Sequence, residues 1–445
     1  MPPKRPIAVD LFGGIGGMAL GFEQAGFDVV CTIEFDPAHA AAHRFNFPRC
    51  EVLEADARSL SIAEVKRAVS RGLAKLGRES ERVDVVFGGP PCQGFSVGGI
   101  GDPEDPRNEL VREFARLTRG LKPRAFVLEN VPAMKTRMLA GTEMTVPEWL
   151  SEELSPDYEV AEPEVLNASS FGVPQDRRRL ILLGARRSEH VPDLPGATHA
   201  PRLKVPAPDQ KHPIDLPLGP SVWDAIGDLP IIEEYDELLL SDSMVIPIEE
   251  RFRMREAASP YASRLAAGLA DLNDLSWPRT RSPSRLTSSL RTVHSEDVRR
   301  RFALVAQGGV DGVSRFYRLH PDGISPTLRA GSTPDRGSYS APRPIHPHAD
   351  RVISVREAAR LHGFPDWFRF TSAKWHGFRQ VGNSVCPPFA RAVAAAVRNS
   401  LGLPAVPPRE ERLTLGDPRL LRVSSGAGRR KGSKPEAKNS LPVAA

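Results

Sequence analysis

The sequence IAVDLFGGIGG, residues 7–17, decides the fold of this 445-residue chain. Its first half is a short apolar run that ends near Asp10, which is typical of a buried β-strand. Its second half is rich in glycine and leads into a helical pattern, and glycines at such a turn let backbone amide groups approach a ligand closely. The spacing differs from the dinucleotide fingerprint, and the lysine of a phosphate-binding loop is missing, so a plain tight turn remains an alternative.

The first 185 residues repeat this alternation of short strands and helices. We predict an α/β fold in which parallel strands are connected by crossover helices and ligands bind at the carboxyl ends of the strands. The predicted strands cover residues 7–11, 28–32, 83–87, 124–128 and 180–183.

Three further segments follow, and they differ in composition. Pro, His and polar residues become frequent, and the strand–helix alternation stops, in residues 186–325, which we predict to form a second, smaller domain. Helical periodicity returns in SVREAARLHGF, residues 354–364, and we predict that residues 326–403 rejoin residues 1–185 in the first domain. Pro, Gly, Ser, Lys and Arg dominate residues 404–445, which predicts a disordered basic tail.

Composition excludes several classes of protein. With 40% hydrophobic and 26% charged residues, the chain has enough apolar surface to form a globular protein. It has no apolar run of about 18 residues, so we expect no membrane passage and a cytoplasmic protein. The four cysteines form no CxxC pair or Cys/His cluster, which argues against a disulfide framework and against a metal site.

The net charge of +5 is concentrated at the carboxyl end of the chain. Residues 422–445 hold six Lys or Arg and one Glu, so the rest of the chain is neutral. A local surface for a polyanion is best sought in residues 251–301, which hold eleven Arg and five acidic residues. A solvated charged face is the alternative interpretation of that segment.

Acidic residues follow two of the early strands. Glu34 is followed by Phe35, and this pair suits a nucleoside, because the carboxylate accepts hydroxyl protons while the ring covers a base. Asp56, in the segment LEADA, is placed to accept from an adenine amino group. An acid after a strand also serves as a helix cap, and only the series of glycine turn, acid and acid favours the nucleoside.

Two more strand ends carry groups suited to covalent chemistry. GGPPCQGFS, residues 88–96, places Cys92 on a loop stiffened by Pro90 and Pro91, where a thiol that ionises readily would act as a nucleophile. LENV, residues 128–131, places Glu129 beside that loop, where a carboxyl group could pass a proton to a ring nitrogen, although a capping role is the alternative.

A basic segment, QDRRR, precedes the last predicted strand of the first domain. Its alternate residues Gln175, Arg177 and Arg179 face the same way if the segment is extended. Guanidinium groups there could bind a base carbonyl and phosphates and steady a thiolate, whereas an ordinary basic surface is the alternative.

Together these segments resemble the cytosine-5 DNA methyltransferases, in the order that the family uses, over roughly residues 7–400. DLFGGIGG resembles the cofactor loop of the family, GGPPCQGFS its nucleophile loop, ENV its acid, QDRRR its arginine pair, and RVISVREAARLHGFPDWF and QVGNSV its two closing motifs. Two departures stand out: Phe35 replaces a common Trp, and Cys386 lies in a loop that more often reads QVGNAVPP.

The resemblance implies a Rossmann-like, S-adenosylmethionine-dependent catalytic domain and a target-recognition domain formed by residues 186–325. It implies that Cys92 is the nucleophile, Glu129 the proton donor, and Arg177 and Arg179 the supporting cations. It also implies that a group of residues surrounds the S-adenosylmethionine cofactor: Phe12, Gly14, Gly16, Glu34, Phe35, Asp56, Pro90, Asn383 and Ser384.

The resemblance also implies a substrate and partners. The substrate is double-stranded DNA, from which the target cytosine is turned out into the pocket. A restriction endonuclease is the expected functional partner, and one chain carries every required part, so we expect a monomer. Three alternative functions stay open. One is a transfer RNA cytosine methyltransferase, although the nucleophile loop of those enzymes typically reads PCQPF, with proline where this chain has Gly94. The others are a DNA-binding relative without catalytic activity and an oxidoreductase with a Gly-rich α/β domain.

Overall fold

The computed structural model describes residues 3–79, 81–91, 109–207, 215–266, 271, 273–280, 282–331 and 343–422. Its centre is a mixed sheet in the order β3-β2-β1-β4-β5-β9-β6, with β7 paired to β9. Its strands are β1 (Ile7–Leu11), β2 (Asp28–Glu34), β3 (Glu51–Glu54), β4 (Val85–Gly88), β5 (Ala125–Asn130), β6 (Tyr158–Val160), β7 (Glu164–Asn167) and β9 (Arg178–Arg186).

Helices cover both faces of this sheet. They are α1 (Gly17–Gln24), α2 (Pro37–Asn46), α3 (Ile62–Lys75), α4 (Glu109–Leu121), α5 (Val146–Leu154) and, from the far end of the chain, α10 (Val355–Leu361), α11 (Lys374–Asn383) and α12 (Pro387–Ser400). Side chains alternate along β1, so that Ala8 packs in the cluster with α1 and α12, while Val9 and Leu11 pack in the cluster with α3, α4 and α5. The predicted α/β fold is confirmed.

One strand runs against the prediction of a wholly parallel sheet. β1 to β5 pair in parallel, but β9 is antiparallel to β5, β6 and β7. Only residues 168–177 separate β7 from β9, and such a short connection can join antiparallel neighbours but cannot form a parallel crossover. β9 therefore brings the QDRRR segment to the carboxyl end of β5.

The segment between β9 and α10 has few regular elements. They are α6 (Val222–Ile226), α7 (Ile248–Ala257), α8 (Pro260–Leu265), α9 (Glu296–Ala303) and the short strands β10 (Met244–Val245) and β11 (Arg285–Leu286). Its buried side chains, such as Ile226 and Tyr261, belong to the same apolar cluster as Phe364 and Phe368 that follow α10. The buried Arg360 side chain reinforces this contact by donating to Asp228 and Asp366. Two further short strands, β8 (Gln175–Asp176) and β12 (Ser325–Pro326), pair where this segment rejoins the sheet.

Helix α12 lies directly against α1, which joins the two ends of the chain. A Cβ atom on Gly21 would lie 2.4 Å from the Cβ of Ala390, and one on Gly17 would lie 2.4 Å from the carbonyl oxygen of Val385. Both glycines are therefore needed for the close approach of the two segments. None of the helices in the described part of the chain has the length and apolar character needed to span a membrane.

The prediction that a disordered tail begins at residue 404 is wrong for residues 404–422. Their apolar side chains Val406, Leu413 and Leu421 are buried against the body of the protein. Backbone hydrogen bonds join Leu413 to Pro278 and Thr280, and Arg409 pairs with the buried Asp28. The composition of the segment is polar, but a few apolar residues at the right positions are enough to anchor it. Residues 423–445 lie outside the described residues.

We predict that this carboxyl-terminal strap, residues 404–422, stabilises the protein. Ending the chain after residue 403 should lower the free energy of unfolding by about 3–5 kcal/mol, because each of its three buried apolar side chains contributes roughly 1.5–3 kcal/mol at most. Ending the chain after residue 422, which keeps the whole strap, is the matched control against which the loss of stability is measured. Urea unfolding measures both, and equal midpoints for the two truncations would contradict the prediction.

Candidate active site

A pocket opens at the carboxyl ends of the central strands and is closed by the far end of the chain. Of the residues predicted for the site, Phe12, Gly14, Glu129, Asn383 and Ser384 line it. The other described site residues are not among those that line it, and Cys92 lies outside the described residues, two positions after Pro90. The lining also includes Asp10, Gly13, Ile15, Gly17, Met18, His39, Gly89, Gln380 and Val385.

The glycine-rich turn after β1 has the backbone that its sequence predicts. Gly14 and Gly16 have φ angles of 55° and 95°, and Phe12 has a φ of 63°, which is unusual for a residue with a side chain. At Gly16 a Cβ atom would lie 2.2 Å from the ring of Phe47, so both the conformation and the space demand glycine. Phe12 holds a strained conformation at the edge of the pocket, which is a common property of functional sites.

Glu34, the last residue of β2, fixes this turn in place. One carboxylate oxygen accepts from the amide of Gly14 at 2.8 Å, and the other accepts from the amide of Asp36 at 2.7 Å. Burial raises the pKa of Glu34 to about 7, against the opposing effect of these two amides. Its carboxyl group is therefore a buried acid that changes charge near neutral pH.

The other two residues predicted for a nucleoside behave differently from each other. Phe35 is 71% exposed, so its ring is free to cover a flat ligand. Asp56 caps a short 3-10 turn through the amide of Arg58 and pairs with the Arg58 guanidinium at 2.6 Å. Asp56 thus acts as a cap, as the alternative interpretation proposed, and a contact between Asp56 and an adenine stays a prediction.

Glu129 lies on β5 and meets Arg179, which β9 brings alongside. The Nε atom of Arg179 is 2.8 Å from a carboxylate oxygen of Glu129. A Cβ atom at Gly89 would come within 2.8 Å of the other carboxylate oxygen, so glycine at 89 leaves room for the acid. The next residue, Asn130, is buried and donates to the carbonyl of Pro90 at 3.0 Å, so β5 also holds the loop that leads to Cys92.

Arg177 does not have the surroundings predicted for a group that binds substrate. It is 2% exposed, and its guanidinium donates to the carbonyls of Leu328, Gly382 and Ser384 at 2.8–3.0 Å. These contacts hold the loop that carries Asn383 and Ser384 against the sheet. The alternation of QDRRR put Arg177 and Arg179 on one face, but it could not show that the carboxyl-terminal segment covers Arg177 completely.

Three polar side chains among the additional lining residues, Asp10, His39 and Gln380, were not predicted as site residues. Asp10 is buried, one of its carboxylate oxygens has no hydrogen-bond partner among the described residues, and burial together with the charge of Glu34 raises its pKa well above the usual range. Asp10 stood in the quoted motif but was taken as the end of a strand. Gln380 stood in the quoted motif QVGNSV but was given no role there, and nothing in the sequence distinguished His39 from other helical residues. Within the described ranges no group of three His, Cys, Asp or Glu side chains is arranged to hold a metal ion.

A mostly parallel α/β sheet with its pocket at the glycine turn after β1 defines a Rossmann-like methyltransferase. The family model for C-5 cytosine-specific DNA methylases matches residues 8–399, and the chain belongs to this family. It is a DNA (cytosine-5) methyltransferase, as the sequence motifs predicted.

Several known proteins are similar in sequence to this chain over nearly its whole length. The type II methyltransferase M.XorII of Xanthomonas oryzae is 42% identical, over 94% of this chain and 91% of its own. M1.HphI of Haemophilus parahaemolyticus is 31% identical, over 87% and 86%. A solved Escherichia coli prophage protein, described as a DNA modification methyltransferase, superposes with a TM-score of 0.66 at 30% identity, covering 89% of this chain and 99% of its own. These similarities confirm the predicted kinship with bacterial restriction-modification methyltransferases.

We predict that Arg177 and Arg178 differ sharply in their effect on stability. Arg177→Lys should lower the free energy of unfolding by about 2–4 kcal/mol, because a lysine cannot reach all three buried carbonyls and leaves some without a donor. Arg178→Lys, at an exposed position in the same motif, is the control and should have no effect. Urea unfolding of the two variants tests this, and indistinguishable curves would show that the Arg177 contacts are unimportant.

Proposed function

We propose that this enzyme transfers a methyl group from S-adenosylmethionine to carbon 5 of a cytosine turned out of a specific duplex sequence. We further propose that it acts as a monomer in the bacterial cytoplasm and protects the DNA from a partner restriction endonuclease. The observation that carries the proposal is the meeting, in one pocket, of the glycine turn, the Glu129–Arg179 pair and the segment Asn383–Ser384. Cofactor residues and an acid suited to base chemistry thus share one cavity.

The pocket fits the proposed cofactor. Asp10 and His39 both line it, and each holds a buried polar atom with no hydrogen-bond partner among the described residues, namely Oδ2 and Nε2. Such atoms call for a polar ligand, since leaving them unpaired costs free energy. The residues proposed to hold the cofactor are Phe12, Gly14, Gly16, Glu34, Phe35, Asp56, Pro90, Asn383 and Ser384. When bound, the cofactor supplies an electrophilic methyl group.

The residues of the chain have the task of making carbon 5 of cytosine reactive. We propose that the Glu129 carboxylate takes up a proton from solvent and passes it to ring nitrogen 3 while the Cys92 thiolate adds to carbon 6, so that the electron pair of the 5,6 double bond becomes available at carbon 5. After methylation a base removes the carbon 5 proton, the thiolate leaves carbon 6, and the proton on nitrogen 3 returns to Glu129. Arg179 positions the Glu129 carboxyl group, and Asn130 positions the loop before Cys92.

Turning the base out of the duplex costs a few kcal/mol, which contacts elsewhere must offset. We propose that residues 186–325 supply them and recognise the target sequence. Helix α9 offers exposed guanidinium groups at Arg299 and Arg300, which lie 3.8 and 3.3 Å from the exposed carboxylate of Glu296. Arginine is suited both to phosphate groups and to guanine edges in the major groove.

We predict that Cys92 is indispensable for methyl transfer. With tritium-labelled S-adenosylmethionine and duplex DNA, Cys92→Ser should transfer no label, and Glu129→Gln should transfer about 10²–10⁴-fold less than wild type, the usual contribution of a general acid. Cys50→Ser, which alters a buried thiol that does not line the pocket, is the control and should remain active.

A 5-fluorocytosine at the target position of the DNA should trap wild type, but not Cys92→Ser, as a covalent adduct. Label found only in RNA, or methylation by Cys92→Ser, would contradict the proposal.

We predict that affinity for the demethylated cofactor, S-adenosylhomocysteine, rises with pH through about 7. The Glu34 carboxylate would accept from ribose hydroxyls, and its pKa of about 7 means that lowering the pH protonates it and weakens binding. Between pH 8 and pH 6 the affinity should fall about tenfold. His39 does not titrate in this window, because burial lowers its pKa to about 4.

Glu34 also interacts electrostatically with Asp10, Asp36 and Arg379. The variant Glu34→Gln therefore tests whether the pH dependence of binding belongs to Glu34. Glu34→Gln should bind more weakly and lose the pH dependence in calorimetric titrations. A Glu34→Gln variant with the pH dependence of wild type would assign it to another group.

A further inference from the structure

His39 is a buried histidine in the wall of the pocket. It lies in the first turn of α2, three residues after the capping residue Asp36, and its side chain is 6% exposed. It lines the same cavity as the glycine turn and the segment Asn383–Ser384. Nothing in the motif resemblance points to a role for this position.

The two ring nitrogens of His39 have different surroundings. Nδ1 is 3.8 Å from a carboxylate oxygen of Glu34, whereas Nε2 is buried and has no hydrogen-bond partner among the described residues. Burial keeps the ring neutral, since it lowers the pKa of His39 to about 4. A neutral imidazole has one donor and one acceptor nitrogen, so Nε2 offers a single directed hydrogen bond.

His43, one helical turn later, shows what a supporting histidine looks like in this helix. It is also buried, and its Nε2 likewise has no hydrogen-bond partner among the described residues, but its Nδ1 is 3.2 Å from the carbonyl of Gly14, its ring packs 4.7 Å from that of Phe47, and it does not line the pocket. His43 therefore supports the glycine turn from behind. Of the two, only His39 faces the cavity where a ligand would lie.

We propose that His39 binds a ribose hydroxyl of the cofactor through Nε2, an inference that rests on the proposed function. A hydroxyl is the ligand group that fits best, because it can donate to Nε2 or accept from it, whichever tautomer is present. Glu34, whose carboxylate lies next to Nδ1, is the residue proposed for the same sugar. Glu34 and His39 would thus form a paired site that selects a ribonucleoside over its deoxy analogues.

Calorimetric titration with S-adenosylhomocysteine and with its 2′-deoxy and 3′-deoxy analogues tests this site. Wild type should bind at least one deoxy analogue about tenfold more weakly than the parent compound, since the buried nitrogen loses its partner. His39→Leu, which has similar bulk and no hydrogen-bonding group, should bind the parent more weakly and should discriminate about tenfold less against that analogue.

His43→Leu is the matched control and should keep the wild-type discrimination, whatever it does to overall affinity. If His39→Leu folds poorly, nitrogen-15 NMR of the histidines in wild type serves instead. The Nε2 resonance of His39 should shift on addition of S-adenosylhomocysteine and shift less with the analogue.

The outcomes separate this inference from the proposed function. Wild-type protein that neither binds S-adenosylhomocysteine nor methylates DNA would overturn both. Protein that does both, but whose discrimination is the same in wild type and His39→Leu, or whose Nε2 resonance does not respond, would overturn the role of His39 alone.

Discussion

The close approach of helix α1 to helix α12 is the constraint on which the pocket depends. Gly21 lets the helices meet, and Gly17 lets the segment before α12 lie on the start of α1. The buried guanidinium of Arg177 then holds the carbonyls of Gly382 and Ser384 from the sheet side. Two segments more than 350 residues apart in sequence are thereby fixed as opposite walls of one cavity.

The electrostatics of the cavity follow from its burial. Asp10 and Glu34 are enclosed acids, and desolvation raises the pKa of both, while the nearby His39 is kept neutral by the same cause. Of these three acids, Glu129 is the one with a close guanidinium partner among the described residues, the Nε atom of Arg179 at 2.8 Å. The cavity therefore has two parts. Beside the glycine turn lie Asp10, Glu34 and His39, whose uncharged forms are favoured by burial. Beside the loop that leads to Cys92 lies the ion pair of Glu129 and Arg179.

Several features were readable locally because a short stretch of chain contains their whole cause. The glycine turn needs backbone conformations that its own residues supply, as Gly14 and Gly16 show, and the apolar runs of β1 and β2 specify buried strands by themselves. The polar composition of residues 404–422 led to a wrong prediction of disorder, because the cause of their order lies outside the segment. Leu413 and Leu421 find their apolar surroundings on distant parts of the chain, which no local pattern reveals.

By itself the sequence determined the fold class and the family, and it named candidates for the reacting groups, because these depend on residue types in a fixed order. Only the tertiary structure decided which groups share the cavity and how each is paired: that Arg179 meets Glu129, that Arg177 supports the closing loop, and that His39 faces the pocket. The physical reason is that pairing and burial depend on distances between segments remote in sequence. The strength of a charge or hydrogen bond is set by those distances and by the exclusion of water.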